Sequence, residues 1–306
     1  MNFNKKTINY LLIDGTSYLY QSYYSFSSFS NKDGIPSGAI YGVINMLKML
    51  FLKYPNTQII IIFDTPNKTF RHTLFQSYKA NRPIMPKNLQ MQIKPLYKAI
   101  NMMGFPIVTI PLFEADDVIG TLAYEAHKNN KFTLICTNDK DLAQLVNINT
   151  NILEKKSHKI LGKMEIKKKY GVIPKLIPDL FGLMGDTSDN IPGVPKIGKK
   201  TALLLLENFG SLKKIYKNID KISKCSFRNA KNIAKTLLIN QDLAFLSKDL
   251  ATIITNIPLE KSINDLTMSK PSIKKLSCFF KYYEFYHWLE LLKSGTWLIN
   301  ANHSKV

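Results

Sequence analysis

The chain has 306 residues, enough to bury a sizeable core as one large domain or two small ones, and its 42 Lys plus Arg against 22 Asp plus Glu give a formal net charge of +20. That balance favours a polyanionic partner, nucleic acid before membrane, because no basic amphipathic anchor is evident. The longest apolar runs, such as residues 59–63, fall far short of the roughly 20 residues of a bilayer-spanning helix, and Met1 to Lys6 lead into a run containing Asp14 instead of a signal-peptide core, so the expected location is cytoplasmic.

From the N-terminus, apolar runs of strand length alternate with longer amphipathic segments, the pattern of a mostly parallel sheet covered by helices and so of an α/β fold. Strands are expected at residues 8–14, 59–64, 107–110 and 132–137, and helices at 37–53, 86–103 and 114–128. The last of these opens with acids in its first turn, as the helix dipole favours. Between 65 and 86 the pattern breaks into Lys68, Arg71, His72, Tyr78, Lys79 and Arg82 mixed with Phe70 and Phe75. After Pro174 the chain reads as helical, with elements at 176–184 and 199–208 and more towards Trp297, which places a boundary near Val172: an α/β domain over 1–172 and a helical region over 173–306. Part of the positive charge is compositional, since Lys, Asn and Ile are all abundant. The excess is nevertheless concentrated, with 19 basic and 6 acidic residues between Lys155 and Lys235.

Cys136, Cys225 and Cys278 show no paired spacing, so neither a disulfide framework nor a zinc knuckle is expected and the thiols should be buried or inert. His72, His127, His158, His287 and His303 show no ligand spacing; only His72, in the basic segment, is left open.

The acids are the informative group. Asp14 and Asp64 each end an apolar strand, and the carboxyl ends of strands in an open parallel sheet are where ligands bind. Glu114, Asp116 and Asp117 open a helix; Asp139 and Asp141 follow the fourth strand; Asp186 and Asp189 lie in Gly185-Asp186-Thr187-Ser188-Asp189-Asn190. Singly, each has an ordinary use as a cap, a turn former or a dipole complement. Together they pose an electrostatic problem. Carboxylates about 4 Å apart repel by about 1 kcal/mol per pair in water and by about 4 kcal/mol at an effective dielectric of 20, so clustering them without nearby arginines calls for cations. An all-oxygen set suits two Mg²⁺ or Mn²⁺ ions better than zinc. Such a pair, roughly 4 Å apart, readies water and stabilises both the attacking and the leaving oxygen at a phosphodiester, so hydrolysis of nucleic acid is the natural reaction.

The runs Leu12-Ile13-Asp14-Gly15, Phe63-Asp64, Phe70-Arg71-His72, Tyr78-Lys79-Ala80-Asn81-Arg82, Glu114-Ala115-Asp116-Asp117-Val118, Thr137-Asn138-Asp139-Lys140-Asp141-Leu142 and Gly185-Asp186-Thr187-Ser188-Asp189-Asn190-Ile191-Pro192-Gly193 resemble, in order and spacing, the 5′ nuclease domain of bacterial DNA polymerase I. The resemblance extends from about Tyr10 to Trp297. It implies that Asp14, Asp64, Glu114, Asp116 and Asp139 hold or surround a first metal, that Asp141, Asp186 and Asp189 hold a second, and that Asp117 joins the cluster through water. It also implies a helical arch over about 65–100, in which Lys79 and Arg82 polarise the scissile phosphate, Arg71 adds a phosphate contact and Tyr78 stacks on a base. Gly193-Val194-Pro195-Lys196-Ile197-Gly198-Lys199-Lys200-Thr201-Ala202 resembles a helix-hairpin-helix core within about 186–210. There Gly193, Lys196, Gly198, Lys199, Lys200 and Thr201 would bind duplex phosphates, with K⁺ at the turn. Read on its own, Gly198-Lys199-Lys200-Thr201 is incomplete as a phosphate-binding loop, because a second Lys displaces the hydroxyl and no buried strand precedes it.

The expectation is therefore a two-metal 5′-3′ exonuclease and flap endonuclease acting at 5′ ends, flaps, nicks and RNA-primed DNA in replication and repair. The chain stops soon after Trp297, so no polymerase activity is carried over; a monomer working with a separate DNA polymerase and ligase is expected. The rivals are a structure-specific ribonuclease and a non-catalytic protein that binds branched DNA.

Overall fold

The structure is a computed structural model and describes residues 7–155 and 157–298. Expectations that fall on residues 1–6 and 299–306, His303 included, lie outside the described residues. A six-stranded sheet organises the N-terminal half: β1 (Tyr10–Asp14), β2 (Gln58–Ile62), β3 (Ile107–Val108), β4 (Thr133–Thr137), β5 (Thr150–Glu154) and β6 (Ile160–Leu161), in the order β3-β2-β1-β4-β5-β6. The first five run parallel and β6 is antiparallel. Strands covered on both faces read as unbroken apolar runs. In β1 and β2 one register, Leu12, Ile60 and Ile62, faces one helical layer, while Leu11, Ile13, Ile59 and Ile61 face the other.

Helices α1 (Gly15–Ser25), α2 (Gly38–Lys53), α3 (Phe70–Leu74), α4 (Lys87–Met102), α5 (Ala115–Lys128) and α6 (Lys163–Tyr170) punctuate the sheet. Helices α7 (Ile177–Met184), α8 (Lys199–Phe209), α9 (Leu212–Lys217), α10 (Ile219–Ile222), α11 (Ala230–Ile239) and α12 (Gln241–Ala251) extend the core beneath α5. The last two, α13 (Ile273–Tyr282) and α14 (Tyr286–Lys293), return to the opposite face of the sheet. Their apolar stripes need cover, and Phe280, Trp288 and Trp297 find it beside α2 and α4, with Tyr41 stacked on Trp288 at a centroid distance of 4.6 Å. Within the region expected to be helical over 173–306, the described helices are therefore shared between the two faces of the sheet.

The expected strands and helices of the first 137 residues are present, with β2 and β3 ending two residues earlier. α1, β5 and β6 were not anticipated. The arch expected over 65–100 takes a different form. Only α3, five residues long, and a series of turns lie between 65 and 86, and α4 is a core helix with Leu89, Leu96, Ala99 and Ile100 buried.

Candidate functional site

The strand order reverses at β1. The chain leaves β1 for β2 and β3 on one side, then crosses through α5 to β4 on the other. Such a switch point opens a crevice at the carboxyl ends of the strands, and β1 ends there in Asp14. This side chain, 4% exposed, caps α1 by accepting from the Ser17 amide at 3.0 Å and accepts from Thr137 Oγ1 at 2.8 Å. Burial, reinforced by Asp139 and Asp64, pushes its carboxyl up to about 6. Asp139 accepts from the Asp141 amide at 2.9 Å; burial and the neighbouring Asp189 raise it as well. Asp116 lies well above the ordinary carboxylate range because of burial and then of Asp139 and Asp14. Asp64, exposed, accepts from the Ala115 amide at 2.8 Å at the first turn of α5. Carboxylates from four separate stretches of chain thus share one field.

The opening of α5 also corrects three expectations. Arg71 is 2% exposed, and its guanidinium donates in bidentate fashion to Asp117 at 2.7 and 2.8 Å and to the carbonyls of Leu250 and Thr252 at 2.9 and 2.8 Å. It is a buried tie and offers no exposed face to a phosphate. Asp117, fully buried, accepts in addition from the amides of Ile254 and Glu114 at 2.9 and 3.2 Å. Its charge is thereby neutralised by Arg71, with no call for a metal-bound water. Tyr78 is 3% exposed and donates to Glu114 Oε2 at 3.2 Å, so its ring has no open face for a base; burial raises its phenol. Glu114 is held at its other oxygen by Lys79 at 2.9 Å. His72 completes the cap of α3 by accepting from the Thr69 amide at 3.1 Å.

At the mouth of the crevice, Asp141, Asp186 and Asp189 each present an oxygen within 4.8 Å of the others. All three are buried. Asp141 is raised well above its ordinary value by burial and then by Asp139, Asp189 and Asp186. Asp141 Oδ1 and Asp186 Oδ2 are buried with no hydrogen-bond partner. A buried acceptor without a donor is costly, and two of them in an all-carboxylate set whose residues bring oxygens within 4.8 Å of one another suit the oxygen coordination that hard divalent cations take. The residues therefore fit the metal that the acid pattern implies. Cations also crowd the rim, contrary to the expectation of acids without nearby arginines: Lys140 donates to Asp186 at 2.5 Å, Arg82 to Asp189 at 2.6 Å, and Lys79 lies 3.7 Å from Asp189. Beside them opens a cavity of about 680 Å³ whose wall includes Asp64, Lys79, Arg82, Glu114, Tyr20 and Tyr97.

The segment after the acids turns tightly. Gly193, with φ +63°, lies against the backbone of Gly185, where a Cβ would come within 2.2 Å of an amide nitrogen. It is buried, its amide donates to Ser247 Oγ, and it is a packing glycine with no exposed face for DNA. By contrast, Gly198 opens α8 with no atom within 4 Å of where its Cβ would stand, and Lys196, Lys199 and Lys200 are exposed around it, with Thr201 half-buried. The free amides and dipole of this helix start suit a phosphate.

Sequence reasoning missed Thr137, Lys140 and Ser188. Their positions inside the acidic motifs, one or two residues from a carboxylate, were the available signal. Of the thiols, Cys136 is buried and Cys278 exposed.

A doubly wound sheet with carboxylates gathered at its switch point, followed by helices carrying an exposed basic helix start, matches two family descriptions in succession. Residues 9–171 match the "5'-3' exonuclease, N-terminal resolvase-like domain" and residues 172–274 the "5'-3' exonuclease, C-terminal SAM fold". A curated "5'-3' exonuclease" of Buchnera aphidicola subsp. Baizongia pistaciae is 56% identical over 297 residues, 97% of this chain and 98% of the relative. DNA polymerase I of Pseudomonas aeruginosa is 41% identical over 92% of this chain and 31% of its own length. Among solved structures, the T5 5′-exonuclease with bound zinc superposes with a TM-score of 0.67 at 20% identity, covering 79% of this chain and 89% of that one. The T5 D15 flap endonuclease complex with DNA and metal ions superposes at 0.61 and 18% identity, covering 93% and 99%. These two likenesses concern the fold. The chain belongs to the 5′-3′ exonuclease family.

Proposed function

We propose that this protein hydrolyses DNA phosphodiesters at free 5′ ends, flaps and nicks, RNA-primed fragments included, leaving a 5′ phosphate on the trimmed strand. The observation that carries this reading is the meeting of Asp14, Asp116, Asp139, Asp141, Asp186 and Asp189 in one crevice with two partnerless buried oxygens. Asp14, Asp64, Glu114, Asp116 and Asp139 would surround one Mg²⁺ or Mn²⁺, and Asp141, Asp186 and Asp189 a second. When bound, the ions supply a low-pKa water and neutralise charge at the phosphodiester. The remaining work falls to the chain itself. Lys79 and Arg82, already at the rim, lie close enough to the acids to contact the scissile phosphate and draw charge from it. The start of α8, with Gly198, Lys199 and Lys200, holds duplex phosphates without reading sequence, with K⁺ at the preceding turn. The 680 Å³ cavity receives the unpaired 5′ strand.

Among the described residues no helix is long and apolar enough to cross a membrane. A cytoplasmic monomer that trims primers and flaps ahead of a separate polymerase and ligase is the cellular role we infer. The test is incubation with 5′-labelled flap DNA in Mg²⁺ or in chelator. Cutting confined to Mg²⁺ is expected; metal-independent binding without cutting contradicts the proposal.

A further inference from the structure

Two asparagines in the quoted motifs have no role in the reaction described above, and both sit where the basic segment meets the Asp186–Asp189 loop. Asn81, from the first half of the chain, donates through Nδ2 to the Thr187 carbonyl at 2.7 Å. Asn190 reaches in the opposite direction and donates through Nδ2 to the Ser77 carbonyl at 2.5 Å. Between them the Lys79 amide donates to the Asp189 carbonyl at 3.0 Å. Three hydrogen bonds thus close residues 77–81 onto residues 187–190, two segments more than 100 positions apart. The backbone is shaped for the arrangement: Lys79 and Asn190 adopt φ of +55° and +55°, a conformation that costs a lysine more than an asparagine. The side chains that follow from it are the ones the reaction needs. Lys79 is directed at Glu114 and Asp189, and Arg82 at Asp189.

We infer that Asn81 and Asn190 are positioning residues, a reciprocal clasp that sets Lys79 and Arg82 in register with the acids of the Asp186–Asp189 loop. The inference rests on the nuclease reading proposed above and deepens it. Neither asparagine touches the reacting atoms. Each acts by fixing the backbone from which a cation projects, so that little rotamer freedom is left to lose when the phosphate arrives. An amide donating to a carbonyl is the useful chemistry here, because its loss leaves the fold's core untouched: Asn81 is exposed and Asn190 half-buried.

The test uses Asn81→Asp and Asn190→Asp, which keep shape and remove the donor, with Asn81→Gln as the conservative return. Single-turnover flap cleavage should slow about 10-fold or more in each aspartate variant, with KM within about twofold of the parent. The double variant should be no slower than about the slower single one, since both open the same clasp. Hydrogen exchange at the Lys79 amide is read in parallel on the DNA-free protein. Protection should be lost in both aspartate variants at unchanged Tm and recovered at least in part in Asn81→Gln. Unchanged exchange at Lys79 overturns the clasp whether or not the protein cuts DNA, and lost protection with unchanged cleavage overturns its positioning role. If the parent protein fails to cut flaps at all, the nuclease reading falls while the exchange result still decides the clasp.

Discussion

Asp14 illustrates what single side chains are asked to carry. Burial pushes its carboxyl up to about 6, against about 3.9 in an unfolded chain. A folded-state value above the unfolded one means that the folded protein holds a proton the unfolded chain has already released. The resulting stability is fully present below about pH 4 and is lost as pH rises through 6. Divalent ions take the deprotonated carboxylate, so the gain in Tm on adding Mg²⁺ should be large at pH 7.5 and fade below pH 6, and the difference between paired scans isolates it. A gain independent of pH would contradict the assignment. Asp186→Asn should spare flap binding and slow cleavage by orders of magnitude, read as unchanged Kd beside a collapsed single-turnover rate. Arg71 sets a third expectation. Breaking a buried pair by removing one partner costs about 3–5 kcal/mol, so Arg71→Met should lose stability of that size by urea denaturation, whereas a mere phosphate contact would leave the midpoint unmoved.

Among the elements, the start of α8 is the one proposed to hold duplex phosphates. Each lysine that neutralises a phosphate contributes about 1 to the slope of log affinity against log salt, so Lys199→Ala with Lys200→Ala should flatten that slope by about 2 and weaken all duplex sequences alike. An unchanged slope would move the contact elsewhere. The sheet and its helices were legible in the sequence because strands buried on both faces must be continuous apolar runs, as in Leu11 to Ile13 and Ile59 to Ile62. α1 was hidden because Gly15 to Ser25 is a run of Tyr and Ser with weak helical preference, held in place by its Asp14 cap. The acids were readable because strand ends and helix starts fix where they point. The pairing of Arg71 with Asp117 was not, because it depends on the 250–254 stretch arriving from the far end of the chain. Tyr78 and Gly193 were misplaced for a related reason: a motif preserves residue types and spacing, while burial is decided by what folds over them.

At the scale of the whole molecule, the two halves of the sequence are not independent. The loop bearing Asp186 and Asp189 completes a crevice begun by β1, β4 and α5, and α13 with α14 closes the opposite face of the sheet. Phe280, fully buried among Phe285, Trp288 and Trp297, is the keystone of that closure. Phe280→Ala should cost about 3–5 kcal/mol and lower Tm, although the residue lies on the opposite side of the sheet from the helices that cover the acids.

Whether the separated carboxylates are gathered to hold divalent ions is decided by anomalous diffraction from crystals of this protein soaked in Mn²⁺. Density is expected bounded by Asp141, Asp186 and Asp189, with a second peak towards Asp14 and Asp116. A well-ordered crevice with Lys140 and Arg82 still paired to Asp186 and Asp189, and no anomalous peak at high Mn²⁺, would contradict it.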